Sequence, residues 1–336
     1  MQLTGSGWSE GIQRLAVWLS GQMSYEQVTE VLSQVGQIAI SPSSLWRQVT
    51  RWGERLLAEE DAACARANAI PQRGESQRGE GGQQERMGVS VDGWMVNIRQ
   101  EGWKEVKTAT VFRVAPGEKA EARTGETMEV GRAVECSYVA HLGGPEGLGE
   151  KLWAEGVRRQ VPAAREKVWV SDGAAWIWGL CQDYWPEAVQ IVDWYHAKTH
   201  LHRAGELLLG EGTARSKSWV ERQAGELYRG QVWRITEELE SEAERLPGEQ
   251  GEALRREAGY FRRNQRRMQY LEYREEGWPI GSGAMESGCK QFAQRLKGPG
   301  MRWSRRGAER MLALRATILS GRFDQIWCTL QNSPDS

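Results

Sequence analysis

From Arg66 to Met87 the chain reads RANAIPQRGESQRGEGGQQERM. This stretch is polar, rich in Gly, Gln and Arg, and almost free of apolar residues, so it has too little surface to bury to offset the entropy of ordering it. A chain interrupted in this way is expected to fold as separate units on either side. Before the gap apolar residues recur with a helical period. After it the pattern changes to alternating, β-branched runs and later returns to helices. The architecture expected is α/β: a mixed sheet flanked by helices, preceded by a helical module.

That module, residues 1–62, is read from its caps. Leu15, Trp18 and Leu19 sit at helical spacing, and Ser24 with Gln27 makes a capping-box pattern that opens a second helix with the stripe Val28, Leu32, Val35. Gly36 is suited to the left-handed conformation that ends it. Ser41 followed by Pro42 opens a third helix, along which Leu45, Val49, Trp52 and Leu56 repeat. Such a pair of helices suits a helix-turn-helix that lays Arg47, Arg51 and Arg55 near DNA. It equally suits a hairpin used for packing or dimerisation.

A linker is expected over 63–87. Beyond it, GVSVDGWMVNI and WKEVKTATVFRV read as a hairpin turning around Gln100 to Gly102. A strand follows over Cys136 to Ala140, then a helix from Gly147 to Arg159. KVWVSDG and AVQIVDWYH make two further strands. This first part of the core spans 88–196. Residues 197–276 carry only helical patterns and read as an all-α insertion. The last part of the core, 277–327, follows the loop PIGSG with helices from Ala284 to Lys297 and Arg305 to Leu319, and 328–336 reads as a frayed tail.

Net charge is only -1, but it is segregated: Arg255 to Arg322 holds sixteen Lys or Arg against six Asp or Glu, an excess that attracts phosphate backbones. No run approaches the roughly 18 apolar residues of a membrane span. The start, MQLTGSGWSEGIQRL, lacks the pattern of a secretory signal, so a cytoplasmic location is expected. The cysteines Cys64, Cys136, Cys181, Cys289 and Cys328 lie far apart with no C-x-x-C pair and read as small buried hydrophobes. The seventeen Trp serve cores as readily as base stacking, so their number does not favour nucleic acid.

Three carboxylates stand out. Asp92 lies inside an apolar strand, where a charge is costly unless a cation or metal compensates it. Asp172 ends another strand just before Gly173. Glu286 follows PIGSG at the start of a helix. Carboxylate oxygens are the ligands Mg²⁺ prefers, and two such ions serve phosphoryl transfer. Taken singly, each residue also has a plain structural role open to it, as a turn cap, an Arg partner or a favourable charge at a helix N-terminus.

The blocks SVDGWMV, WVSDGAAWIW, VDWYHAKTHL and PIGSGAMESGCKQFAQRLKGPGMRWS, in that order, resemble the DDE transposases of bacterial insertion sequences, especially the Kra-type group related to Mutator-like elements. The resemblance covers roughly residues 10–325 and implies an RNase H-like catalytic domain. It places the first Asp on the first strand, the second after the fourth, and the Glu beyond a helical insertion, which fall on Asp92, Asp172 and Glu286. Asp193 and His196 match a D-x-x-H pattern that such transposases carry before the insertion, supporting the active site or the DNA. Relatives often carry a longer region before the helical hairpin.

The activity so implied is hydrolysis at element ends, leaving a 3′-hydroxyl that attacks target DNA. Two Mg²⁺ ions, for which Mn²⁺ substitutes, would be held by the three carboxylates, with Asp92 bridging. The implied partners are the terminal inverted repeats, target DNA and at least a second copy of the chain. A transposase-derived DNA-binding protein without catalysis and a structure-specific nuclease are the alternatives. His196, His200 and His202 cluster, but no Cys or acid at suitable spacing completes a zinc site. Arg262, Arg263, Arg266 and Arg267 are expected on one helical face, tracking a phosphate backbone or forming a solvated surface. Lys290, Arg295, Lys297, Arg302 and Arg305 follow Glu286 closely enough to hold the strand being cut. Trp303 either stacks on a flipped base or belongs to the core.

Overall fold

The computed structural model describes residues 8–70, 85–120 and 127–332. In chain order the elements are α1 (Glu10–Gln22), α2 (Tyr25–Gly36), α3 (Pro42–Asn68), β1 (Arg86–Ile98), β2 (Gly102–Ala120), β3 (Thr127–Leu142) and α4 (Pro145–Arg158). There follow β4 (Glu166–Ser171), α5 (Ala175–Tyr184), β5 (Val189–Val192) and five helices in succession: α6 (Trp194–Leu209), α7 (Ala214–Tyr228), α8 (Val232–Arg245), α9 (Gly248–Asn264) and α10 (Tyr270–Glu275). The chain ends with α11 (Gly283–Leu296), α12 (Arg305–Leu319) and α13 (Phe323–Asn332).

The sheet is five-stranded in the order β3-β2-β1-β4-β5. β1, β2 and β3 pair antiparallel, whereas β4 and β5 run parallel to β1. Side chains alternate across a strand, and β1 uses both faces. Met87, Val89 and Val91 join a core with Leu148, Leu152 and Trp153 of α4 and Ile177 of α5. Val96 and Ile98 join a second core with Phe292 and Leu296 of α11 and with α12. Helices thus cover both faces, and Asp92, in phase with Val96 and Ile98, belongs to the face packed by α11. No described helix is long and apolar enough to cross a membrane.

At the N-terminus the capping box of Ser24 and Gln27 is formed, and Ser41 caps α3 with Pro at the first position. Leu45, Val49, Trp52 and Leu56 are all buried, and Trp52 stacks on Trp327 of α13 at 3.7 Å. Four readings of this region change. The left-handed residue after α2 is Gln37 (φ 54°), one beyond Gly36. Val35 is 84% exposed, so the buried stripe stops at Leu32. Leu15 and Trp18 stand at the surface, while Ala16, Val17 and Leu19 face inward. Residues expected to open the linker instead complete α3 as far as Asn68, because Ala67 packs in the core and its carbonyl accepts from the Trp153 indole at 3.0 Å. Residues 71–84 lie outside the described residues.

Two further expectations are revised. Only Val189–Val192 of AVQIVDWYH is a strand; Asp193 caps α6 and Trp194 begins it, so the succession of helices starts three residues earlier than expected. The expected tail continues as α13 to Asn332, since Trp327 and Leu330 are buried against α3 and α12. Residues 333–336 lie outside the described residues.

Candidate active site

The parallel ladder between β1 and β4 runs from Arg86↔Glu166 to Val89↔Trp169. Carried three residues further, this register sets Asp92 beside Asp172. The strands stay together beyond their last ladder pair because the Val91 amide donates to Ser171 Oγ at 3.0 Å. Asp172 then turns the chain: its Oδ1 accepts from the Ala174 amide at 2.9 Å, with Gly173 at φ +97° between them. That left-handed conformation favours glycine, and an added Cβ would also meet the Tyr260 ring at 3.1 Å. The Tyr260 hydroxyl donates to the Asp172 carbonyl at 3.0 Å, fixing the turn from the side of α9.

Asp92 is half-buried. Its Oδ1 accepts from the Gly93 amide at 2.7 Å, and the Cys289 thiol donates to Oδ2 at 3.4 Å. Burial pushes the Asp92 carboxyl above the usual carboxylate range; the Gly93 amide and the Cys289 thiol pull it down, the Asp172 charge pushes it up, and His196 pulls it down. Burial, with Asp92 as the next cause, pushes the Cys289 thiol well above its ordinary value, so it remains a protonated donor. Cys289 lies one turn after Glu286 on α11, which brings that helix directly onto Asp92. Glu286 itself is 49% exposed, and its nearest cation is Lys290 at 3.9 Å. Among the described residues, no three His, Cys, Asp or Glu side chains converge closely enough to hold a metal ion as they stand. The donor chemistry nevertheless suits a hard divalent cation: Asp172 is near enough for its charge to push on Asp92, and burial shifts Asp92 toward protonation.

Asp193 does a different job. It is 2% exposed. Its Oδ1 accepts from the His196 amide at 2.7 Å and caps α6, while Oδ2 accepts from the Ser282 amide and, at 2.8 Å, from the Ser282 hydroxyl. Its own amide donates to the Ser171 carbonyl at 2.7 Å, and the neighbouring Trp194 amide donates to the Ile280 carbonyl at 2.9 Å. Ser282 in turn caps α11, since its carbonyl accepts from the amides of Met285 and Glu286. One buried aspartate, through its amide and its carboxylate, therefore joins the end of β4, the start of α6 and the loop that carries Glu286.

His196 is half-buried, and burial lowers its pKa against the opposing pull of Asp172. His200 stacks on Tyr260 at 3.5 Å and its Nδ1 meets Glu257 Oε2 at 2.5 Å, whereas His202 points to solvent. These three do not form a site.

The basic residues divide. Arg47 and Arg51 are exposed on α3, the former donating to Ser44 Oγ at 3.0 Å. Arg55 instead reaches the Leu330 carbonyl and lies over Trp52 at 5.2 Å, which removes it from a DNA-facing row. Arg295 is also reassigned: it is 3% exposed, its Nε donates to the Ser20 carbonyl at 2.7 Å, and it lies between the rings of Tyr25 and Trp303. Trp303 is structural as well. Its amide donates to the Asn97 carbonyl, its carbonyl accepts from Arg99, and its indole donates to the Leu296 carbonyl at 3.0 Å, extending the free edge of β1. Arg305 pairs with Glu101. Lys290, Lys297 and Arg302 remain exposed near the end of β1 and along α11.

Cys289, Ser282 and Tyr260 were not singled out from sequence. An Asp three residues before a donor at the head of an apolar helix is the cap signal that would have found the Asp193 junction; the other contacts join residues far apart in the chain. Scans against protein-family models and curated proteins return no match for this chain.

Proposed function

We propose that this chain is a DNA transposase of the bacterial insertion-sequence kind, with an RNase H-like catalytic domain that cuts element ends and joins them to target DNA. Beside the sequence resemblance, the observation that carries this reading is the proximity of Asp92, midway along β1, to Asp172, just past the end of the parallel neighbour β4, under the helix that bears Glu286. Neighbouring carboxylates repel, and a phosphoryl-transfer site uses that repulsion to hold cations. Asp92, Asp172 and Glu286 are the residues that would hold Mg²⁺ or Mn²⁺, and the ions would supply activation of the attacking oxygen and stabilisation of the leaving one.

The protein's own part is positioning. Asp193 fixes the Ser282 loop, and with it the first turn of α11; Gly173 and Tyr260 fix the Asp172 turn; Cys289 fixes one oxygen of Asp92. Glu286, on an exposed first turn, has to approach the aspartate pair for the three to share a ligand. His196, with its pKa lowered by burial, supplies a neutral imidazole rather than a competing cation at neutral pH. The proposed partners are the terminal inverted repeats, target DNA and a second copy of the chain, because joining two ends calls for at least two active sites.

The test is cleavage of DNA carrying the inverted repeats that flank the gene, in Mg²⁺ or Mn²⁺. Wild-type protein and Glu276→Gln should cut; Asp92→Asn, Asp172→Asn and Glu286→Gln should bind but not cut. An active Asp92→Asn protein contradicts the assignment. Binding by the wild type without cleavage favours a non-catalytic DNA-binding protein, and cleavage of junctions without strand transfer favours a nuclease.

A further inference from the structure

Where the last turn of α9 leaves the Asp172 loop, the chain enters a short 3-10 turn, Gln265–Arg267, that borders a recess of about 640 Å³. Arg262, Arg263, Arg266 and Arg267 all line it, together with Gln190 of β5 and Tyr273 of α10. These arginines are not equivalent. Arg267 is built into the wall: its Nε donates to Gln190 Oε1 at 2.7 Å and its guanidinium lies 4.5 Å from the centre of the Trp178 ring. Arg262 is paired with Glu240. Arg263 and Arg266 are exposed, and among the described residues no carboxylate pairs with either. The recess therefore has two occupied arginines as scaffold and two others presenting uncompensated charge.

Its position follows from register. Gln190 lies opposite Trp169, three residues before Asp172 on β4, which at ~3.3 Å per residue is about 10 Å along the strand. Duplex DNA carries one charge per ~3.4 Å of axial rise on each strand and its phosphates also wind around that axis, so a strand with one phosphate at the carboxylates has another at about this distance, roughly one or two nucleotides away. Tyr260 and Asn264 join the two places physically, since the Tyr260 hydroxyl holds the Asp172 carbonyl and Asn264 packs beside Gly173.

We propose that this recess is a phosphate-binding site for the DNA strand being cut, with Arg263 and Arg266 as the phosphate ligands and Arg267, which donates to the Arg263 carbonyl at 3.5 Å, as their support. This rests on the transposase reading and deepens it. The site grips the backbone next to the scissile position from the helical insertion, without reading bases.

The test measures binding of a duplex of arbitrary sequence as a function of salt. Each phosphate contact contributes about 0.9 to the slope of log K against log salt. The double variant Arg263→Gln/Arg266→Gln should lower that slope by about 1.8, the charge-preserving Arg263→Lys/Arg266→Lys should keep it, and Arg245→Gln, on α8 and paired with Glu242, should leave it unchanged. Tight wild-type binding with an unaltered slope in the Gln double variant overturns this proposal alone. Absence of duplex binding by the wild type overturns both the proposal and the reading beneath it.

Discussion

Asp193, just past β5, and Asp92, midway along β1, are carboxylates in opposite situations. At the head of α6, Asp193 is almost wholly buried, yet every nearby donor is aimed at it: the His196 amide on one oxygen, the Ser282 amide and hydroxyl on the other. At the aspartate pair, Asp92 is less buried, and among the described residues its oxygens accept from the Gly93 amide and a weak thiol donor, while the Asp172 charge works against it. A buried charge that is fully hydrogen-bonded is structure; one that is left short is where a ligand belongs.

Asp193→Ala removes the α6 cap, worth about 1 kcal/mol, and orphans the Ser282 donors, at about 1–3 kcal/mol. Urea unfolding should show a loss of roughly 2–4 kcal/mol. A loss below ~1 kcal/mol means that the junction is not held in this way.

Because burial raises the Asp92 pKa in the folded chain, that group favours folding below its unfolded pKa and this contribution is lost as pH rises through the folded value. In metal-free buffer Asp92→Asn should therefore raise the thermal midpoint at pH 7, with the gain shrinking as the pH falls into the range where Asp92 is protonated. Thermal scans with EDTA across that range check the sign. A variant destabilised at pH 7 would mean that the native carboxylate is already compensated.

How much of this was legible in sequence follows the same division. Local signals are readable: the capping box at Ser24, the Ser41-Pro42 start, the hairpin at Gln100 to Gly102 and the acid at the start of the helix after PIGSG are all in the pattern. Trp194 and Tyr195 extend the apolar run of β5 in the sequence and so mask Asp193 as the helix cap it is. The fates of Arg295 and Trp303 were not readable, since Ser20, Tyr25 and Asn97, which hold them, are remote in the chain. Basic residues close in sequence to Glu286 turned out to be divided between core and surface by contacts of that kind.

Asp92 and Asp172 are proposed to form a cation site. Titration of the wild-type protein with Mn²⁺, following the signal of the free ion by electron paramagnetic resonance, tests it without DNA or turnover. Saturable binding that is lost in Asp92→Asn and Asp172→Asn and weakened in Glu286→Gln is the predicted result. Binding that persists unchanged in Asp92→Asn, or no binding by the wild type, would contradict it.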